Sequence, residues 1–320
     1  MGEDRLIRLI SSIVKPRGHV KVGIGDDCCV LADGTVLTTD CYADGVHFVA
    51  ADRPHRSHWS WMSYSSVGVR CACACLSDVV AMAARPGVLL VGLAVPKSAT
   101  SSQVSQLYRG IESVCAVLGC EVAGGDIIAM DRLVLCLSAT GRTDHPRLRS
   151  ACRAGDSLYV TGSVGASETG RLALLHRLGA RSFRDSVARH RLPMPRLRVA
   201  LKLAGKVHGL IDTSDGIATD ARHLAEMSRV RITIEAERLP VSDETRELCS
   251  RLRLDPVEFS LSSGEDYELL FTSSHRIPKS VNDVRVSRIG SVARGNGLYL
   301  TQSGRTRPLK LSGYDHLRGS

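Results

Sequence analysis

Aspartate closes five short strings of small or polar residues in this chain: Gly25-Asp26-Asp27, Thr38-Thr39-Asp40, Leu76-Ser77-Asp78, Gly124-Gly125-Asp126 and Thr213-Ser214-Asp215-Gly216. Ser263-Gly264-Glu265-Asp266 adds a sixth acidic turn. Several of them follow apolar, strand-like stretches, and such turns can collect on one edge of a sheet with their oxygens aimed at a common volume. Carboxylates brought that close repel one another unless a cation lies among them. An all-oxygen donor set suits a hard divalent cation, and Mg²⁺ usually completes its shell with water and substrate phosphates. The chemistry expected is therefore that of a Mg²⁺-nucleotide site. Taken singly, each string also suits a turn or a helix N-cap, where Asp after Gly, Ser or Thr makes local hydrogen bonds. The repetition of the pattern is what points to a metal.

Two glycine clusters fit phosphate. Gly124-Gly125 has no Cβ to hold a ligand off, and its N–H groups can form an anion nest. Gly162-Ser-Val-Gly165 reads as a strand-to-helix turn, whose helix N-terminus could face an anion or could simply be a turn. A P-loop and the protein-kinase signatures are missing, and Gly23-Ile-Gly25 is not continued as a dinucleotide fingerprint because Cys28 stands where the third glycine would be. His55 and His58 read as surface residues, while His47 follows Asp40 closely. No Ser/His/Asp or Cys/His triad can be argued.

At 320 residues the chain suggests about two domains. Its hydrophobic content of 43% and charged content of 23% are those of a globular protein. The charged start and the shortness of the apolar run Val88–Val95 argue against a signal peptide or a membrane span, so a cytoplasmic protein is expected. The 11 cysteines lack paired spacing, which suggests reduced thiols. Cys71-Ala-Cys-Ala-Cys75 lacks the second ligand pair that zinc spacing requires. A net charge of +9, with arginines concentrated from Arg142 to Arg153 and from Arg177 to Arg198, favours an anionic partner. Nucleic acid is disfavoured by the 4% aromatics and the lack of stacking residues among the basic stretches, and a solvated helix face or phosphorylated small molecules explain the arginines equally well.

The elements that must position these turns are partly legible. Residues 3–14 read as an amphipathic helix with Leu6, Ile7, Leu9, Ile10 and Ile13 inward. Strands are expected at 20–24, 35–39, 88–95 and 133–140. A helix is expected at 58–84, where Cys/Ala alternation alone would also suit a strand. A second helix at 101–118 is capped by Gly119. The polar, basic stretch 141–153 reads as a domain junction. Beyond it, strands at 157–161, 231–235 and 268–272 and helices at 166–178 and 216–227 build a second mixed domain. Acidic turns fall in both halves, so the site is expected to be shared between them.

In order and spacing, Gly23-Ile-Gly-Asp-Asp27, Thr38-Thr-Asp40 with Gly45-Val-His-Phe48, Leu76-Ser-Asp78 with Ala81-Met82, Gly124-Gly-Asp126, Ile211-Asp-Thr-Ser-Asp-Gly216 and Ser263-Gly-Glu-Asp-Tyr-Glu268 resemble the thiamine-monophosphate kinase family of the aminoimidazole-ribonucleotide-synthetase-like superfamily. Gly313-Tyr-Asp-His316 is similar to that family's ending. The resemblance implies a two-domain α/β fold with mixed sheets. Residues 1–145 would form an ATP/Mg-binding domain whose sheet builds a homodimer barrel, and residues 146–320 an α/β domain completing the site. It also implies ATP-dependent phosphorylation of thiamine monophosphate to the diphosphate. Asp27, Thr38, Thr39, Asp40, Asp78, Asp126, Asp212 and Asp215 would be Mg²⁺ ligands. Gly125, Arg149 and Ser214 would contact ATP; His47, Glu265 and Leu317 would lie on the thiamine side. The acceptor phosphate is already deprotonated, so no general base is implied. The chain departs from the family pattern at Leu317, where an aromatic is usual, and at Cys75, Ile127 and Ser263; none of these removes a carboxylate.

Overall fold

The computed structural model describes residues 2–14, 17–50 and 62–310. His55, His58 and the Tyr314–Leu317 tail, with the substrate-side position Leu317, lie outside the described residues. The first half carries α1 (Glu3–Ile13), β1 (Val20–Val22), β2 (Cys29–Leu31), β3 (Thr35–Ala43), α2 (Tyr64–Ala81), β4 (Arg85–Val95), α3 (Ser101–Leu118), β5 (Glu121–Ala129) and β6 (Val134–Arg142). Its strands form one sheet in the order β1-β2-β3-β6-β4-β5, antiparallel except where β4 pairs with β5.

The Thr38–Asp40 string, expected as a turn, is part of strand β3, and side-chain alternation sorts it. Val36 and Tyr42 are buried on the helix side, whereas Thr39 and Cys41 are exposed on the other face. Thr38 and Asp40 are in phase with the buried residues and face inward. Helices α2 and α3 cross at close range, since a Cβ on Gly68 would fall 2.1 Å from Leu107 O and one on Gly110 2.1 Å from Ser65 O. Helix α3 spans the limits predicted for it, opened by a reciprocal Thr100/Gln103 capping box and closed by Gly119 at φ 71°. The Cys71–Cys75 run is helical, so thiols two residues apart are turned about 200° from each other.

The inward face read for α1 does not hold. Ile7, Leu9, Ile10 and Ile13 are all exposed, Ile13 by 70%. Amphipathicity reports an apolar stripe but not the surface that covers it.

The second half carries β7 (Ser157–Thr161), α4 (Ala166–Leu175), α5 (Arg184–Arg191), α6 (Leu197–Leu203), β8 (Leu210–Asp212), α7 (Ile217–Ser228), β9 (Arg231–Glu235), α8 (Asp243–Leu252) and α9 (Pro256–Ser262). It closes with β10 (Leu269–Ser273), β11 (Ser280–Val281), β12 (Val284–Ala293), β13 (Gly297–Gln302) and β14 (Arg305–Pro308). The sheet runs β14-β13-β9-β12-β7-β10-β8, with β11 on β12. Val160, Ile211, Leu224, Ile232, Leu270 and Ile289 belong to its core. Strand β8 is thus an edge strand, and its last residue, Asp212, pairs in register with Leu269 of β10. No helix among the described residues is long and apolar enough to cross a membrane.

Candidate active site and metal centre

Three carboxylates converge from three separate elements. Asp27 lies in the turn between β1 and β2, Asp78 in the last turn of α2, and Asp212 at the end of β8. One oxygen of each lies within 4.8 Å of the other two. Their neighbours fix them. Thr38 Oγ1 donates to Asp78 Oδ2 at 2.6 Å, and Ser77 Oγ reaches across from α2 to donate to Asp212 Oδ2 at 2.6 Å. Arg149, in the 3₁₀ turn Arg149–Ala151, donates Nη2 and Nε to Asp27 Oδ1 at 2.5 and 3.2 Å. These bonds leave Asp27 Oδ2 and Asp212 Oδ1 buried with no hydrogen-bond partner among the described residues. Such an oxygen costs about 1–3 kcal/mol, and more when charged.

The electrostatics follow from the crowding. Burial, then the Asp27 carboxylate, pushes the Asp212 carboxyl up to about 8. Burial and the carboxylates of Asp40, Asp212 and Asp27 hold Asp78 well above the usual carboxylate range. Asp27 is raised by burial against the pull of Arg149, and burial with Asp27 lifts Asp26 to about 6. Burial first and like charge second, only partly offset by Arg149, give this pattern, and an all-oxygen cluster suits a hard cation.

The other predicted residues divide. Asp40 is close enough to raise Asp78 and accepts a 2.6 Å bond from Tyr42 Oη. The Tyr42 ring meets His47 edge-on at 5.5 Å, and His47 Nδ1 accepts the Ala43 N–H at 3.1 Å. Asp215 lies in the β8–α7 loop, where its charge acts on Asp212. Ser214 carbonyl oxygen accepts the Glu265 N–H at 2.7 Å. Thr39, on the outer face of β3, donates to Leu137 O at 3.2 Å. Asp126 is exposed on β5, and its Oδ1 accepts the Ile127 N–H at 2.9 Å. Thr39 and Asp126 therefore stand apart from the three-carboxylate cluster. Beside Asp126, a Cβ on Gly125 would lie 1.9 Å from Val91 O, so only glycine fits. Next to it a groove of about 720 Å³ opens between β4, β5 and α3, lined by Val95, Pro96, Val104, Tyr108, Ile127 and Ala129.

The sixth acidic turn has a different role. Asp266 accepts the Gly165 and Ser167 N–H groups at 2.6 and 2.8 Å, so the α4 N-terminus does face an anion, but one supplied by the chain itself. Glu268 is fully buried, receives Thr161 Oγ1 at 2.5 Å and Arg196 Nε at 2.7 Å, and pairs with Arg189. Glu265 pairs with Arg70. Part of the arginine-rich stretch is thus consumed internally rather than spread as a solvated face.

Residues 25–143 match the AIR synthase related protein N-terminal domain family, and residues 153–301 the corresponding C-terminal domain family. A thiamine-monophosphate kinase of Aquifex aeolicus is 31% identical over 305 residues, 94% of each chain. The chain belongs to the thiamine-monophosphate kinase family. Another member of that family, from Pyrococcus abyssi, is 34% identical over 76% of each chain. The solved structure of AaThiL complexed with AMPPCP and TMP superposes with a TM-score of 0.85 at 31% identity, covering 99% of this chain and 97% of that one. The two-domain α/β architecture is that of the thiamine-monophosphate kinase family.

Sequence reading missed three site neighbours in this family member. Asp26, hidden behind Asp27 in the Gly25-Asp26-Asp27 string, accepts the Arg149 N–H on both of its oxygens. Asp220 is 1% exposed, with Oδ2 unpartnered among the described residues, and is held well above the usual range by burial, Asp215 and Asp212. Its place in the first turn of α7 looks like an ordinary helix-start acid. Arg70 was legible in principle, as a lone charge inside an apolar helical stretch.

Proposed function

We propose that this chain transfers the γ-phosphoryl group of ATP to thiamine monophosphate, giving thiamine diphosphate, with Mg²⁺ ions held by Asp27, Asp78 and Asp212 and by the adjoining Thr38, Asp40 and Asp215. The observation that carries the metal reading is the pair of buried, unpartnered oxygens on Asp27 and Asp212 within a cluster drawn from both halves of the chain. Oxygen donors alone fit Mg²⁺. Bound there, it would offset the repulsion between two polyanions and the charge of the transition state.

The chain's own residues hold this arrangement. Thr38 and Ser77 orient Asp78 and Asp212, while Arg149 ties Asp27 to the second domain and lies where it can meet ATP. Backbone at Gly124-Gly125 can approach a phosphate, Ser214 contacts ATP, and the groove at Tyr108 takes the adenosine. Asp126, exposed beside Gly125, and Thr39 serve further ions. His47 and Glu265 face thiamine, and the family resemblance implies the same role for Leu317. The accepting phosphate is already an anion, so transfer is direct and in line, with no general base and no phosphoenzyme.

The proposed domains are residues 1–145 and 146–320, in a cytoplasmic homodimer. Edge strand β5 supports the dimer: Ile127, Ile128 and Met130 are exposed with Leu90 of β4, and such an edge invites pairing with a second copy. The test of function is thiamine diphosphate formation from thiamine monophosphate and Mg-ATP, followed by chromatography with EDTA and free-thiamine controls. Metal-dependent product from the monophosphate alone is expected. Absence of product from a folded protein that binds Mg-ATP overturns the acceptor assignment.

A further inference from the structure

Arg70 is 3% exposed in the middle of α2, within a stretch whose other members, from Val67 to Leu76, are all buried. Both arms of its guanidinium group leave the first domain. Nη1 donates to His190 O at 2.5 Å, in the last turn of α5, and Nη2 pairs with Glu265 Oε2. Removing a guanidinium from water is costly, and a well-packed apolar side chain is often at least as stable in such a place. The buried charge therefore asks for a reason beyond stability.

Glu265 supplies one. It sits at φ 61°, in the left-handed region, and Tyr267 follows at φ 49°. Non-glycine residues held there cost energy and persist where the surroundings fix them, often at functional sites. Two backbone bonds fix this loop to the Asp212–Gly216 loop: Glu265 N to Ser214 O at 2.7 Å and Tyr267 N to Thr213 O at 2.9 Å. The backbone is therefore set from the second domain, and the direction of the side chain is set by Arg70 from the first. Unlike Asp266 and Glu268, which are buried, Glu265 keeps a side chain 34% exposed and reachable by a ligand.

We propose that Arg70 is a positioning residue for the thiamine side of the site, holding the Glu265 carboxylate across the domain boundary so that it can accept from the aminopyrimidine or face the thiazolium cation. This rests on the reading of Glu265 as a substrate contact. Because α2 also carries Asp78, one helix then sets the acceptor-side carboxylate and a metal-side carboxylate together.

The experiment is steady-state kinetics on the full-length enzyme for Arg70→Met, Arg70→Lys, Glu265→Gln and the Met/Gln double variant, varying thiamine monophosphate and ATP separately, with melting curves. Glu265→Gln and Arg70→Met are each expected to raise KM for thiamine monophosphate about tenfold, a shift of about 1.4 kcal/mol. KM for ATP should stay within about twofold. Arg70→Lys should recover part of the loss, and the double variant should be no worse than the poorer single one, as coupled residues behave. If Glu265→Gln raises that KM but Arg70→Met does not, the positioning role falls and the Glu265 reading stands. If Glu265→Gln leaves it unchanged, the substrate reading of Glu265 falls and takes this inference with it. An equal rise in both KM values with a lower Tm would make Arg70 purely structural. Should Arg70→Met not fold, a selective rise in Arg70→Lys carries the test, and an unselective one overturns it.

Discussion

Two acidic regions that look alike as strings of letters have opposite fates in the fold. In the Ser263–Glu268 turn each acid has a partner: Glu265 has Arg70, Asp266 has the α4 N-terminus, and Glu268 has two arginines and a threonine. In the cluster of Asp27, Asp78 and Asp212, hydroxyls and one arginine occupy a single oxygen of each, and two buried oxygens are left over. Asp266 and Glu268, buried with their lone pairs satisfied, belong to the architecture, while Glu265 is held by Arg70 but stays reachable. A carboxylate that is buried and unsatisfied is suited to something that arrives.

The sharpest way to break this contrast is to neutralise one acid from each region. Asp78→Asn keeps the shape and an acceptor for Thr38 but removes a ligand charge. Turnover should fall by about two orders of magnitude or more with the circular dichroism spectrum unchanged. Near-normal kcat would remove Asp78 from the metal site and erase the distinction.

Glu268→Ala should do the reverse. It strips the partner from Arg189 and Arg196, whose side chains remain 25% and 18% exposed, so water recovers part of the loss. A cost of about 2 kcal/mol, at or below the lower end for a broken buried pair, is expected. That is a fall of about 4–8 °C in Tm for a domain of this size. Turnover of the folded enzyme at 25 °C should stay within about threefold. A loss of turnover as deep as that of Asp78→Asn, without the thermal shift, would place Glu268 in the chemistry.

Legibility in the sequence follows the same division. Helix α3 could be read to the residue because Thr100, Gln103 and Gly119 are local signals, and β7 and β9 because their apolar runs are short and bounded. The acids were readable by residue type and the kinship by their order, but three strings read as turns lie inside regular elements: Thr38–Asp40 in β3, Leu76–Asp78 in α2 and Gly124–Asp126 in β5. Partnership was not readable: that Asp266 would cap α4 about a hundred residues earlier, or that Thr39 would face away from Asp40, is decided by topology and strand phase. The open stripe of α1 and strands β12 to β14 escaped for related reasons, the first because burial needs a partner surface and the others because their patterns are interrupted by polar and basic residues.

A pH dependence separates the two regions without any activity assay. In the folded chain Asp212 titrates at about 8 against an ordinary 3.8, and Asp266 at about 6. Both shifts are upward, so above pH 4 the folded state holds protons that the unfolded chain has released, and stability falls as pH rises. For Asp266 that fall is over by about pH 6; for Asp212 it continues to about pH 8, with Asp78 acting in the same direction. In EDTA, Tm should therefore keep declining between pH 6 and 8, and Asp212→Asn should flatten that decline while Asp266→Asn alters only the slope below pH 6. Added Mg²⁺ should raise Tm more at pH 8 than at pH 6, because protons compete for the same oxygens. An unchanged pH 6–8 slope in Asp212→Asn would mean that Asp212 does not hold a proton in that range, and the contrast between spare and satisfied carboxylates would fail at its centre.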